Sequence, residues 1–221
     1  MKITLVRQRV SYRLTIWGWL TMLSINFLIL FLFLRYIATF LVENQPLPTK
    51  IMVVDGMMPG YGYDSIVAMV NRESYLYLIT TGVDLDYTYN PTEQFNTAEF
   101  SYKVLSTKTI ENCRLFKAPA SRVDRDRTYT AALTLKAWFI QNKIFPGRIN
   151  VVSFSCHSRR TGILYRKAFR DFAEVGMISV PDNSYDYNQW YKTSKGVRMI
   201  LSETIGCLYS IIFFHPNGIS I

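Results

Sequence analysis

Leu14 to Leu34 is a run of 21 residues without a single charge, LTIWGWLTMLSINFLILFLFL. An α-helix rises about 1.5 Å per residue, so this run matches the roughly 20 residues needed to cross the hydrocarbon core of a bilayer. Ser24 and Asn26 are its notable polar residues, and both are tolerated in lipid. A secretory leader has an apolar region of only about 7–15 residues, followed by a small-residue cleavage site. Here the run is longer, and the YIATFLVENQPLP that follows offers no such site. A soluble core helix seldom lacks charge for six turns. The sequence therefore predicts an uncleaved transmembrane anchor over residues 14–42. A basic segment, 1–13, precedes it. A two-proline linker, 43–49, and a domain over 50–221 follow.

The flanks predict orientation. Lys2, Arg7, Arg9 and Arg13 precede the run, whereas Arg35, Glu43 and then Lys50 follow it. Basic flanks stay on the cytoplasmic side, and Arg35 can snorkel to the opposite interface. The expectation is a single-pass protein of the cytoplasmic (inner) membrane, N-terminus inside, with the domain extracytoplasmic.

Net charge is +9, and much of it sits ahead of the domain, which is itself mildly basic. That balance suits an anionic ligand or a headgroup surface. No basic run, zinc-finger or RNP-like pattern is present, so nucleic acid is not an expected partner. Cys113, Cys156 and Cys207 are far apart and odd in number; they allow at most one bridge and fit buried thiols. The two histidines, His157 and His215, belong to no Cys/His cluster with metal-ligand spacing, and no metal site is expected. The sequence names no cofactor.

Beyond the linker, short apolar runs alternate with amphipathic segments. Strands are expected at 50–55, 75–80, 113–116, 149–154 and 177–180, and helices at 65–70, 97–105, 128–141, 160–172 and 197–213. The helix over 128–141 places Ala131, Ala132, Leu135, Trp138 and Phe139 on one face. This alternation predicts an α/β fold, a Rossmann-like parallel sheet with helices on both faces. Continuous apolar strands fit a sheet covered on both sides. Ligands of such sheets bind beyond the carboxyl ends of the strands.

Four segments fall there, one of them Thr80-Thr81-Gly82 at the end of the second strand. Asp55-Gly-Met-Met-Pro-Gly-Tyr-Gly-Tyr-Asp64 follows the first strand; it is neither GxGxxG nor a Walker loop. Its glycines (Gly56, Gly60, Gly62) permit tight turns, or simply a flexible connection. Asp55 ends a buried strand and needs partners. Asp124-Arg-Asp-Arg-Thr128 opens a helix. One of its acids fits as a cap, but Arg125 and Arg127 at a helix N-terminus favour a nearby anion. Ser155-Cys-His-Ser-Arg-Arg160 follows the strongest strand. His157, Arg159 and Arg160 at the next helix start make either an anion site or a set of structural partners. Neither Ser155 nor Ser158 sits in a GxSxG elbow.

Together these segments resemble the SanA/YdcF/ElyC family, an envelope-associated domain of unknown function. The residues that carry the likeness are Ile51 to Gly56, Leu78 to Gly82, Asp126 to Ala132, and Ser153 to Arg160 with the helix to Phe169. Tyr185 to Trp190, Lys195 to Arg198 and Glu203 resemble the tail of a subgroup. The likeness spans about residues 50–213. It implies a Rossmann-like fold, frequently one N-terminal anchor, and association with the envelope barrier, cell-wall synthesis and lipid-carrier metabolism, with no general reaction. The chain departs from the pattern at Asp55-Gly-Met-Met, where a glycine-rich turn is commoner, and at Ala131, where Asn is usual.

The expectation is an envelope protein whose α/β domain binds an anionic, phosphorylated glycan or lipid-linked carrier intermediate. Asp55 and His157 are the acid–base candidates. Arg127, Arg159 and Arg160 are the anion holders, and Gly56, Thr81, Gly82, Asp126 and Thr128 supply further ligand contacts. The alternative is a non-enzymatic assembly factor of an envelope or polysaccharide-export machine. It would dock a protein partner on Ile200, Leu201, Ile205, Leu208, Ile211 and Ile212.

Overall fold

The computed structural model describes residues 12–85 and 95–216. Lys2, Arg7 and Arg9, which carry the orientation argument, lie outside the described residues. The chain forms two compact units, residues 1–36 and 37–221. The first is the body of helix α1 (Ile16–Leu41), a 26-residue helix long and apolar enough to cross a membrane.

The second unit holds a sheet of five parallel strands in the order β4-β2-β1-β5-β6. These are β1 (Ile51–Asp55), β2 (Tyr77–Leu85), β4 (Arg114–Ala120), β5 (Arg148–Phe154) and β6 (Glu174–Val180). A two-residue strand, β3 (Phe95–Asn96), pairs antiparallel with the end of β2. The helices are α2 (Gly60–Glu73), α3 (Thr97–Ser106), α4 (Arg127–Gln141), α5 (His157–Phe169) and α6 (Ser194–Ile212), with a 3-10 turn over Tyr187–Lys192.

β1 shows why the sheet is doubly covered. All five of its residues are buried, and successive side chains point to opposite faces. Ile51 and Val53 pack with Ala132, Leu135 and Phe139 of α4 and with Tyr165 and Phe169 of α5. Met52 and Val54 pack with Tyr63, Ile66 and Val70 of α2 and with Leu105 of α3. The Rossmann-like α/β fold is as the alternation predicts. Pro119, which cannot donate to a ladder, sits in the edge strand β4.

Helix boundaries differ from expectation in two informative places. α2 begins five residues early, at Gly60, behind Pro59, so Gly60 and Gly62 belong to its first turn. Of the three glycines, Gly56 alone has a positive φ, +71°. α5 begins at His157 rather than Arg160, because Ser155 turns the chain (φ 56°) and its carbonyl accepts the Ser158 N–H.

The domain starts before residue 50. Gln45 exchanges both backbone hydrogen bonds with Met177, at 2.8 and 3.0 Å, covering the β6 edge. Buried Asn150 accepts from Leu47 N and donates to Leu47 O. Ala38 and Leu41 are buried, and Glu43, 5% exposed, makes a two-pronged pair with Arg166 at 2.9 and 3.0 Å. The residues expected to form a linker thus complete the core. Removing one partner of a buried ion pair costs about 3–5 kcal/mol; Arg166 is partly exposed, which reduces this to about 2–3 kcal/mol. A chain beginning at Ile37 is expected to unfold cooperatively. One beginning at Asn44 is expected to melt roughly 4–12 °C lower by differential scanning calorimetry. Equal melting temperatures would show that residues 37–43 add nothing to the domain.

Candidate functional site

The sheet order reverses between β1 and β5: the chain runs outward through β2 and β4, then returns to the other side of β1. At such a point the loops beyond the two strands part and leave a crevice. A cleft of about 540 Å³ lies here. β1 contributes Asp55 and Gly56, β2 contributes Gly82 and Val83, and β5 contributes Phe154. The starts of α4 and α5 bring Asp126, Arg127, Thr128, His157 and Arg160, while α6 closes the side with Glu203, Gly206 and Ser210.

Asp55, 9% exposed, ends β1 with its carboxylate held from behind. Tyr165 donates to Oδ1 at 2.8 Å and Thr161 to Oδ2 at 3.4 Å. Burial pushes this carboxyl above its ordinary 3.8, against the charge of His157, the two hydroxyl bonds and the charge of Arg160. Burial and the neighbouring carboxylate also push the Tyr165 hydroxyl well up, so it remains a donor.

His157, Arg160 and Glu203 form one cluster. Arg160 donates from Nε to Glu203 Oε2 at 2.8 Å and from Nη2 to Oε1 at 3.1 Å. His157 Nδ1 lies 3.1 Å from Glu203 Oε1 and 2.9 Å from Arg160 Nη2. It donates to Glu203 in one tautomer and accepts from Arg160 in the other. Nε2 is the ring nitrogen left for a ligand. Burial alone would raise the Glu203 carboxyl. The hydrogen bonds and charges of His157 and Arg160 outweigh it and hold it at about 2.

Two helix N-termini reach the cleft. Asp126 stands at the cap position of α4 in a left-handed conformation (φ 54°), and its side chain makes no capping hydrogen bond. The capping role open to it in sequence is therefore not taken, and the first N–H groups of α4 stay unclaimed by that carboxylate. Cys156, at the cap position of α5, makes no side-chain capping bond either.

Eight of the ten sequence candidates line the cleft: Asp55, Gly56, Gly82, Asp126, Arg127, Thr128, His157 and Arg160. Thr81 and Arg159 do not. Thr81 is fully buried, and its hydroxyl donates to the Ala131 carbonyl at 3.2 Å, tying β2 to α4. Arg159 points the other way. Its guanidinium donates to the Phe40 carbonyl, stacks over the Phe40 ring at 4.2 Å and lies 3.8 Å from Glu43. The cause is the early start of α5. At about 100° per residue, His157 and Arg160 share a face, while Arg159 is turned toward the chain entering the domain. Gly82 is needed for close approach: a Cβ there would run into Thr97 Oγ1 and come within 3.0 Å of Ala98 N.

Glu203 was not among the site candidates. Its signal was present in sequence, because it is the only charged residue between Arg198 and His215. A lone carboxylate on an apolar helix requires a partner. The three thiols are free, with Cys156 and Cys207 buried and Cys113 half-buried. Among the described residues no group of three or more His, Cys, Asp or Glu is placed to hold a metal ion. No protein-family model matches the chain, and no curated protein matches it.

The two carboxyls respond to pH in opposite senses. Glu203 falls from an ordinary 4.5 to about 2 on folding. It therefore adds stability above pH 4.5 that disappears as pH falls toward 2, on the order of 3 kcal/mol. Asp55, raised on folding, costs stability when ionised, and acid relieves that cost. Glu203→Gln is expected to be less stable than the wild type at pH 7, with the gap closing between pH 4.5 and 2 in urea titrations. A gap independent of pH would mean that Glu203 is not ionised in the folded chain.

Proposed function

We propose that the chain is a membrane-anchored envelope protein whose cleft binds a phosphorylated glycan or lipid-carrier intermediate. The observation that carries this reading is the start of α4. It opens into a pocket of small-molecule size with Arg127 and Thr128 on its first turn and no side-chain cap from Asp126. A helix N-terminus with free N–H groups favours an anionic oxygen, and a guanidinium adds charge-assisted hydrogen bonds.

The other cleft groups suit the rest of such a molecule. Asp124 and Asp126 line the same pocket, and carboxylates accept hydrogen bonds from sugar hydroxyls. Met57, Val83, Leu164 and Met199 give it apolar wall. Asp55 and His157 are the acid–base pair of this reading: one carboxyl is raised by burial, and one imidazole is oriented by Glu203. Arg160 positions Glu203 and His157 rather than holding the ligand. The likeness to the SanA/YdcF/ElyC family and the apolar α1 support an envelope setting, with the N-terminus inside and the domain outside the cytoplasmic membrane.

The assembly-factor reading draws on a different observation, the exposure of Leu201, Ile205, Leu208, Ile211 and Ile212 along α6. Ile200 is fully buried and is not part of that surface. Ligand binding separates the two readings.

A hydrogen bond to a charged group is worth roughly 1.5–3 kcal/mol. Arg127→Ala is therefore expected to weaken binding of a short-chain polyprenyl phosphate about 10- to 150-fold, with the melting temperature unchanged because Arg127 is exposed. Titration calorimetry against polyprenyl phosphates and sugar nucleotides tests this; no binding to either class removes the ligand reading. For topology, a reporter active only outside the cytoplasm, joined after Ile221, is expected to be active. Activity of a cytoplasmic reporter at the same point would reverse the orientation.

A further inference from the structure

α6 is amphipathic in the inverted sense. Its inward side carries Gly196, Glu203, Cys207 and Ser210 along with Ile200. Its outward side carries Leu201, Ile205, Leu208 and Ile212, spaced four, three and four residues apart. Of these, Ile205 is 70% exposed, and Phe213, just past the helix end, is 71% exposed. Between Arg198 and His215 the one charge, Glu203, is turned inward to Arg160 and His157. A helix facing water on that side would be expected to place its polar residues there. The arrangement is not a fraying end, because Lys167 donates to the carbonyls of Ser210 and Phe214, both at 2.6 Å, pinning the last turn to α5.

We propose that the outer face of α6 lies in the interfacial layer of a lipid bilayer. This rests on the reading of α1 as a membrane span, and three observations choose lipid as the occupant. First, the domain begins directly after the span in sequence, with Ala38, Leu41 and Glu43 already part of its buried interior, so an anchored chain keeps its domain tethered close to the bilayer. Second, the stripe is one helix wide, whereas a stable protein interface takes roughly 20–30 residues a side. Third, beyond Arg198 at its N-terminal end the face has no charge to specify a protein partner, and it ends in Phe213 beside His215, a mix of aromatic and polar groups that suits the headgroup boundary. The inner side of α6 walls the cleft. A helix is about 10–12 Å across, so this contact sets the ligand site one helix thickness from the lipid. That favours a ligand resident in the membrane over a freely diffusing one.

The test uses the full chain in phosphatidylethanolamine–phosphatidylglycerol vesicles, with the photoreactive residue benzoylphenylalanine at position 205. A second preparation carries it at Lys108, a partly exposed position paired with Asp64, as a control. Irradiation is expected to give a lipid adduct at 205, detected by mass spectrometry, at least tenfold above that at 108. Leu201→Lys with Leu208→Lys should lower the adduct at 205 to the control level while leaving α1 in the membrane. A covalent dimer at 205, or no lipid adduct in a chain that resists alkaline carbonate extraction, would overturn the inference alone. A chain that carbonate washes from the vesicles would overturn the anchor and this inference together.

Discussion

The pairing of Arg160 with Glu203 is the contact on which the site depends. It joins α5 to α6 across the side of the cleft, 43 residues apart in sequence, with two donors on two carboxylate oxygens. Such forked geometry fixes direction as well as distance. Gly206 leaves room for it: a Cβ there would come within 2.9 Å of Arg160 Cδ, so a side chain at that position would shift the arginine. With Glu203 held inward, α6 beyond Arg198 has no charge left for its outer face. One ion pair therefore sets the wall of the pocket, the orientation of His157 and the apolar character of the surface behind it.

The same pair explains why two adjacent arginines have unrelated roles. Arg159 and Arg160 read alike in sequence as anion holders. In the fold Arg159 is taken up by Phe40 and Glu43, and Arg160 by Glu203. Their positive charge is already neutralised by protein groups, which leaves Arg127 as the arginine of the cleft best placed to meet a ligand. The mild basicity of the domain therefore overstates the positive charge available to a ligand in the cleft. That charge is concentrated at the start of α4.

The parallel sheet was legible because its strands are continuous apolar runs separated by amphipathic segments, as at Ile51–Asp55 and in the Ala132, Leu135, Phe139 face of α4. The start of α3 was legible at Thr97 because Asn96 caps it, accepting from Ala98 and Glu99. The start of α5 was not. Ser155-Cys-His-Ser offers no helix-forming residues, and the turn that begins the helix depends on Ser155 adopting a left-handed conformation that favours glycine. That shift of three residues decided which arginine faces the cleft. The role of residues 43–49 was hidden for another reason. Two prolines read as a linker, whereas Asn150 and Met177, more than 100 residues away, supply the hydrogen bonds that fold it into the sheet edge.

The balance of charge around the cleft narrows the proposed ligand. Asp55, Asp124, Asp126 and Glu203 line it together with Arg127, Arg160 and His157. A ligand that was anionic throughout would meet several carboxyls at close range, at a cost that the Arg127 guanidinium and two helix ends do not offset. Burial reduces this conflict at Asp55 by favouring its neutral form, and Glu203 is already matched by Arg160. Asp124 and Asp126 remain, beside the one strong seat for an anion. A molecule with a single phosphate and several hydroxyls satisfies both, placing the phosphate on the first turn of α4 and the hydroxyls against the two aspartates. The proposed ligand is therefore asymmetric, charged at one end and polar but uncharged at the other, and a sugar phosphate has that form whether or not a lipid is attached.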